Sequence, residues 1–338
     1  MKSVVVTGAS GFLGGALALK LLKRGVQVYG VGATDEGFQR FAGFENFVPV
    51  VAEFGDYSKL LELISGRDFD VFYHFAWQGV FGEAFKDYAL QLQNARYACE
   101  ALMQAKQLGC KKFVLAGTYN EFEVKGFMDD IEYQPRYTCI YASAKLVSEL
   151  ICRTLAYQNN LDYNAGLVCM AYGENNFSDM LPNVVLKQLL KGEEPKLITG
   201  DNYYDMVYVD DVAEAFAAIG ERGVNQQSYY IGHRRLRTFR ELLSEMRDIV
   251  SPETKLHFGS FQDTADMDYS RIDLEALYRD TGFECRADFK ESIMKTTAWL
   301  KEQMTNKSSG GGYLKSLIIF IYITDILGFL SFLRRQYK

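Results

Sequence analysis

The chain has little of what metal, disulfide-rich or nucleic-acid-binding proteins are built from. Its three histidines (His74, His233, His257) are scattered, and its six cysteines (Cys99, Cys110, Cys139, Cys152, Cys169, Cys285) contain no Cys-x-x-Cys pair. No structural zinc, no other metal site and no disulfide framework is expected; the thiols read as free groups in a reducing cytoplasm. Basic charge is also scarce. Lys and Arg number 37 against 43 Asp and Glu, a net charge of −6, which argues against a nucleic-acid partner. No secretory leader is expected, because Met1-Lys2-Ser3 runs into only the short apolar stretch Val4–Val6. What the chain does have is 48 % hydrophobic residues, enough for a sizeable core.

The apolar pattern alternates between two periods. Val4–Thr7 reads as a buried strand ended by glycine, and Phe12–Lys23 as a helix with Leu13, Ala16, Leu17 and Leu21 on one stripe. Val26–Val31, Phe47–Val51, Val71–Phe75, Lys112–Ala116 and Asn164–Met170 read as further strands. Helices are expected at Tyr57–Ile64, Tyr88–Leu108 and Tyr141–Gln158. Such alternation implies a mainly parallel sheet with helices on both faces. After Tyr172 the rhythm loosens. Helices are expected at Leu181–Leu190, Val212–Ile219, Thr238–Ile249 (opened by a Thr cap), Asp273–Thr281 and Phe289–Met304, and a strand at Tyr229–Ile231. This half is expected to form a smaller lobe over the carboxyl edge of the sheet.

Two motifs carry chemistry. In "TGASGFLGG" (Thr7–Gly15), Gly8, Gly11 and Gly14 lie between a strand and a helix. Glycines let a backbone approach a pyrophosphate, and the helix start offers unpaired N–H groups and a positive dipole end. In "YASAK", Tyr141 and Lys145 are four apart and share a helix face. An ammonium beside a phenol favours the phenolate, so the tyrosine can move a proton near neutral pH. With 22 tyrosines about one such spacing is expected by chance. Its weight comes from its position, one loop after "VLAGT" (Val114–Thr118).

Taken in order, "TGASGFLG", "YHFAW" (Tyr73–Trp77), Asn94, "FVLAGTYNEFE" (Phe113–Glu123), "YASAK" and "YDMVYVDDVAEAF" (Tyr204–Phe216) resemble the extended short-chain dehydrogenases/reductases, in their NAD-dependent epimerase/dehydratase branch. The resemblance covers about residues 1–304. It implies a Rossmann-type doubly wound sheet at 1–165, with 204–220 returning to it, and a mainly C-terminal substrate lobe at 166–304. It also implies action on a nucleotide-linked sugar. Gly8, Gly11 and Gly14 would cradle the cofactor pyrophosphate. Ser10, Phe12, Leu13, Gly32, Phe75, Ala76, Trp77 and Asn94 would complete the cofactor contacts, with Glu53 and Phe54 at the adenine. Thr118 would bond the sugar oxygen, Tyr141 would be the acid/base, and Lys145 would hold the nicotinamide ribose. His74 is placed for packing under the cofactor loop rather than for catalysis.

The departures narrow the chemistry. Dehydratases of this branch carry Asp-Glu directly after the catalytic Thr; here stand Tyr119 and Asn120, and Glu121 could serve only if the loop shifted. Gly32 occupies the place of the usual ribose-binding acid, which tilts the cofactor from NAD towards NADP, although Arg40 is the nearest arginine and Asp35 could take the ribose. Tyr204 replaces an arginine expected on the substrate side. Asn183 and Arg271 are the candidates for the missing substrate contacts, with Asn175, Asn176 and "HRRLR" (His233–Arg237) in reserve. Reductase and epimerase both remain open, as does a rival of another kind, a non-catalytic cofactor-binding protein.

Residues 305–312 read as a flexible linker and 313–338 as a hydrophobic C-terminal helix. Ser316–Leu333 is apolar but for Asp325 and is flanked by Lys315, Arg334 and Arg335. A central Asp costs about 2.5–3.5 kcal/mol on insertion, which the apolar neighbours could offset. The tail admits three readings: a membrane contact, a helix docked on the enzyme or in a homodimer, or an appendage without a role.

Overall fold

Valine-rich runs become central strands because alternate side chains reach opposite faces, and both faces here are covered by helices. In the computed structural model, which describes residues 1–129, 138–261 and 267–309, β1 (Ser3–Thr7) leads into α1 (Phe12–Lys23), β2 (Gln27–Gly32), β3 (Phe47–Val51), the short α2 (Leu60–Leu63) and β4 (Val71–His74). Then follow α3 (Tyr88–Gln107), β5 (Lys112–Thr118), α4 (Glu121–Asp129), α5 (Cys139–Gln158) and β6 (Asp162–Val168). Val4 and Val6 pack under α1 and α7 (Val209–Arg222), with Leu17, Leu21 and Phe216. Val5 faces the other way, into Phe72, Ala98, Leu102 and Phe113 beneath α3 and α5.

Seven parallel strands form the sheet in the order β10-β6-β5-β4-β1-β2-β3, where β10 is Gln227–Ile231. The direction of winding reverses between β1 and β4. Their registers, Thr7 against His74 and Thr7 against Val31, bring three strand ends together at that point. Such a reversal opens a crevice at the carboxyl ends. The sequence places the return to the sheet at 204–220; it extends further, because β10 pairs with β6 from Gln227 to Ile231.

The smaller lobe contains two short pairs, β7 (Met170–Tyr172) with β9 (Met206–Tyr208), and β8 (Tyr203–Tyr204) with β11 (Arg237–Thr238). It also carries α6 (Leu181–Leu190), α8 (Phe239–Val250) and α9 (Ala276–Thr281). The expected Thr cap of α8 is a full capping box: Thr238 Oγ1 accepts from Glu241 N at 3.2 Å, and Thr238 N donates to Glu241 Oε2 at 2.8 Å. The helix expected at Tyr57–Ile64 is instead a 3-10 turn, Phe54–Lys59, followed by α2. The turn Asp35–Phe41 and α4 have no counterpart in the sequence pattern.

Met1–Thr297 packs as one unit, and a second begins at Ala298. α10 (Phe289–Ser309) continues past Met304 into residues that the composition assigns to the linker. The rest of the linker and the hydrophobic tail lie outside the described residues. Among the described residues no helix is long and apolar enough to cross a membrane, no group of three or more His, Cys, Asp or Glu could hold a metal ion, and the six thiols are free.

Asp205, buried between β8 and β9, ties the lobe to the sheet. It accepts from Tyr230 Oη at 2.8 Å and His233 N at 2.7 Å, and it meets His233 Nδ1 at 2.7 Å. Burial pulls the His233 pKa down, but its bond and charge pairing with Asp205 outweigh this and hold it above the ordinary value. The stabilisation is therefore fully present below the unfolded-state histidine range and lost as pH rises through the raised folded value. The melting temperature should fall across that window in the parent, and His233→Gln should lack this component. Equal slopes in a thermal-shift series over pH would contradict the assignment.

Candidate active site

The glycine loop is shaped by contacts a side chain would break. Gly8 has φ +69°, and a Cβ on it would lie 2.9 Å from Ala76 N. A Cβ on Gly14 would lie 2.5 Å from the Gly8 carbonyl oxygen. That oxygen also accepts from Gly11 N at 2.9 Å. Gly11, which precedes α1 at its N-cap, offers no side-chain cap, and the first turn of α1 has no acidic residue, so that end is open to an anion. Thr7 Oγ1 meets His74 Nδ1 at 2.9 Å and also accepts from Ala76 N at 3.4 Å. His74 is fully buried, and burial first, then the Lys145 charge, drops its pKa to about 3, so it packs as a neutral ring.

A cavity of about 550 Å³ runs from this loop to the ends of β5 and β6. Thr118, Tyr141 and Lys145 line its far end together. β5 delivers Thr118, and the first turns of α5 deliver the other two. The Tyr141 phenol and the Thr118 side chain are neighbours there. The Tyr141 ring stands edge-on to Trp77 and Phe85, with centroids 6.2 and 4.9 Å away. Lys145 Nζ donates to Ala116 O at 2.8 Å and sits 3.8 Å from the Trp77 ring centroid. It is only 5 % exposed, and loss of water pulls its pKa down to about 7. Burial likewise pushes the Tyr141 phenol above its ordinary value. The direction is thus opposite to the lowering expected from a neighbouring ammonium. Desolvation outweighs the charge, whose Nζ is 6.0 Å from the Tyr141 ring centroid.

Gly8, Ser10, Gly11, Phe12, Leu13, Gly14, Gly32, Phe54, Phe75, Ala76 and Trp77 all line the cavity. Four sequence candidates do not. Glu53 is exposed, at the start of the Phe54–Lys59 turn. Asn94 is buried, and its side chain donates to Gln78 O at 2.9 Å and accepts from Gln78 N at 3.1 Å, bracing the chain after Trp77. Asn183 acts similarly, donating to Asn176 O at 2.7 Å and Ser178 O at 2.9 Å. Arg271 pairs with Asp129 at 2.7 Å and Asp268 at 3.2 Å on the surface. Arg234 is likewise in ion pairs, with Glu275 and Glu284. The sequence did not point to Tyr57, Val80, Phe81, Phe85, Ser178 and Met180 in the wall. An aromatic residue every fourth position, Trp77, Phe81, Phe85, was the one available signal. Nor did it bring Arg40 to the loop, where the guanidinium donates to Ser10 O and to Gly11 O at 2.9 Å. Gly14→Val should weaken dinucleotide binding about ten-fold or more, because the clash is with backbone. Fluorescence titration with NADH and NADPH measures this; unchanged affinity for both would remove the cradle.

The family model described as "NAD dependent epimerase/dehydratase family" matches residues 4–232. A trifunctional UDP-glucose 4,6-dehydratase/UDP-4-keto-6-deoxy-D-glucose 3,5-epimerase/UDP-4-keto-L-rhamnose-reductase of Arabidopsis thaliana is 24 % identical over 320 residues, 88 % of this chain and 47 % of that protein. The chain thus spans about half the length of that relative. The dTDP-glucose 4,6-dehydratase of Xanthomonas campestris pv. campestris is 22 % identical over 335 residues, 90 % of this chain and 95 % of that one. Among solved structures, the UDP-glucuronic acid 4-epimerase of Bacillus cereus, in complex with UDP-glucuronic acid and NAD, shares the fold with a TM-score of 0.70. It is 21 % identical and covers 90 % of this chain and 100 % of its own. With its doubly wound sheet and a family match over more than half its length, the chain belongs to the NAD-dependent epimerase/dehydratase family.

Proposed function

We propose that the protein is an NAD(P)-dependent enzyme that transfers hydride at a ring carbon, C4, of a nucleotide-linked sugar. The observation that carries this is the pairing of Tyr141 and Thr118 in the wall of one cavity that also takes in the glycine loop, with Lys145 one helical turn beyond Tyr141. A nicotinamide bound there would accept or supply the hydride. Tyr141 moves the proton of the sugar oxygen, and Thr118 donates a hydrogen bond to that oxygen. Lys145 holds the nicotinamide ribose. A bound ribose would bring fresh hydrogen bonds to the ammonium, favouring its charged form and so the phenolate.

Gly8, Gly11, Gly14 and the open start of α1 suit a pyrophosphate. Phe54 suits the adenine, while Glu53 and Asn94 act by shaping the wall. On the substrate side Asn175 and Asn176 replace Arg271, and Asn183 positions them. Gly32 carries no carboxylate to repel a 2′-phosphate, and Arg40 lies on the adjacent loop, which supports NADP. The Bacillus cereus enzyme was crystallised with NAD, so the choice rests on those two residues. Relatives include 4,6-dehydratases. Here Tyr119 and Asn120 line the cavity where that chemistry needs carboxyls, and Glu121 is fully buried behind it, which supports hydride transfer without elimination.

Purified protein given NADPH and a 4-keto sugar nucleotide should consume NADPH stoichiometrically if it is a reductase. Tightly bound NAD with no net consumption would mark a 4-epimerase. Tyr141→Phe should lower kcat at least about 100-fold in either case; undiminished turnover would remove Tyr141 as the acid/base, and no turnover of any sugar nucleotide by the parent would leave a non-catalytic cofactor-binding role. The exposed Leu92 of α3 and Ile140, Val147, Leu150 and Ile151 of α5 support a homodimer through that face. Leu150→Glu should then shift sedimentation from dimer to monomer; a monomeric parent would dispose of the interface.

A further inference from the structure

Two carboxyl groups lie buried behind the cavity wall, and neither has a role in the chemistry above. Glu121, at the start of α4, is 0 % exposed and Glu149, on α5, is 3 % exposed. Each has one oxygen fully engaged. Glu121 Oε1 accepts the Thr118 backbone N–H at 2.8 Å. Glu149 Oε1 accepts from Arg153 Nη2 at 2.6 Å and from Ser228 Oγ at 2.7 Å. The remaining oxygens, Oε2 of both residues, are buried with no other partner, and the two side chains are within hydrogen-bonding reach of each other. Gly117 makes room for this arrangement, since a Cβ there would lie 2.7 Å from Glu121 Oε1.

Two ionised carboxylates cannot sit in contact in a dry interior at modest cost, whereas one proton between them satisfies both orphaned oxygens. Arg153 faces Glu149, so the charge settles there and the proton on Glu121. We propose that Glu121 is a neutral carboxylic acid that donates to the Glu149 carboxylate, and that it serves as a positioning residue for Thr118 and Lys145. It holds the Thr118 main chain by accepting its N–H, and it keeps a second negative charge away from Lys145 and Tyr141. This role rests on the Thr118–Tyr141–Lys145 assignment, but the protonation state does not.

The charged and titratable groups facing the pair are Tyr141, Lys145 and Arg153 of α5 and Tyr163 of β6. Burial first, then Glu149, raises the Glu121 pKa well above the carboxylate range, with Lys145 opposing. As pH rises through that raised value, Glu121 loses its proton. The pair then repels itself, and the new charge pushes the Tyr141 phenol further up. Both effects slow proton transfer from the phenol.

Three variants test this. Glu121→Val leaves the Thr118 N–H and Glu149 Oε2 unpaired and should lower kcat roughly ten-fold or more with little change in KM. Glu121→Gln offers the same acceptor and donor and should rescue kcat to within about three-fold of the parent. Its alkaline limb should be missing or displaced upward relative to the parent. Infrared difference spectra, which do not depend on activity, should show the carbonyl stretch of a buried protonated carboxyl at neutral pH in the parent and in Tyr141→Phe, and lose it in Glu121→Gln. Absence of that band in the parent overturns the shared proton. Glu121→Gln as impaired as Glu121→Val, or with the parent's alkaline limb, overturns the positioning role. Undiminished turnover in Tyr141→Phe instead removes the catalytic assignment, and the infrared band still decides the pair.

Discussion

The carbonyl oxygen of Gly8 is where the strand, loop and helix of the cofactor end meet. It accepts from Gly11, lies against Gly14, and belongs to a residue whose left-handed backbone brings it against Ala76 at the end of β4. No side chain fits at position 8 or 14 without moving backbone. This close approach lets α1 begin directly at the crevice between β1 and β4, where the sheet reverses its winding. Because β5 is the next strand, its last residue, Thr118, ends beside the chain that follows β4 and carries Trp77. The two ends of the cavity are thus tied to one strand order.

A second constraint is the exclusion of water. Lys145, His74, Glu121 and Glu149 are all buried within a few residues of the proposed reacting centre. In such surroundings ionised forms are disfavoured unless a partner is supplied. His74 responds by staying neutral, Lys145 falls to about 7, and the Tyr141 phenol rises. Each of these three shifts favours the neutral form before ligands arrive. A pyrophosphate and a ribose would supply the missing polar partners, so the acid/base properties of the site depend on occupancy.

Much of this was legible from residue order. Strand and helix periods placed Phe12–Lys23, Phe47–Val51 and Leu181–Leu190 at their observed bounds, because those segments have a single apolar stripe or a buried run and clear stops. The 3-10 turn Phe54–Lys59 was not legible as such, since its apolar residues have helical spacing but too little length. For the site, residues carried by local backbone shape or by one helix turn, the three glycines, Tyr141 and Lys145, all line the one cavity. Asn94 and Asn183, read from the sequence as direct contacts, lie outside the cavity lining and bond the neighbouring backbone. A buried amide and a ligand-facing one have the same sequence appearance.

By itself the sequence determined the parallel α/β architecture, the glycine loop, and the four-residue spacing of Tyr141 and Lys145, because each depends on interactions within a few residues. Only the tertiary structure decided which long-range neighbours these groups have. It swung Arg40 back onto the loop at Gly11 and set Lys145 over Trp77. It also turned Glu121 inward towards Glu149 rather than into the cavity. The reason is physical: the charge state of a side chain is set by water exclusion and by partners brought from distant segments, and neither is encoded at the residue itself.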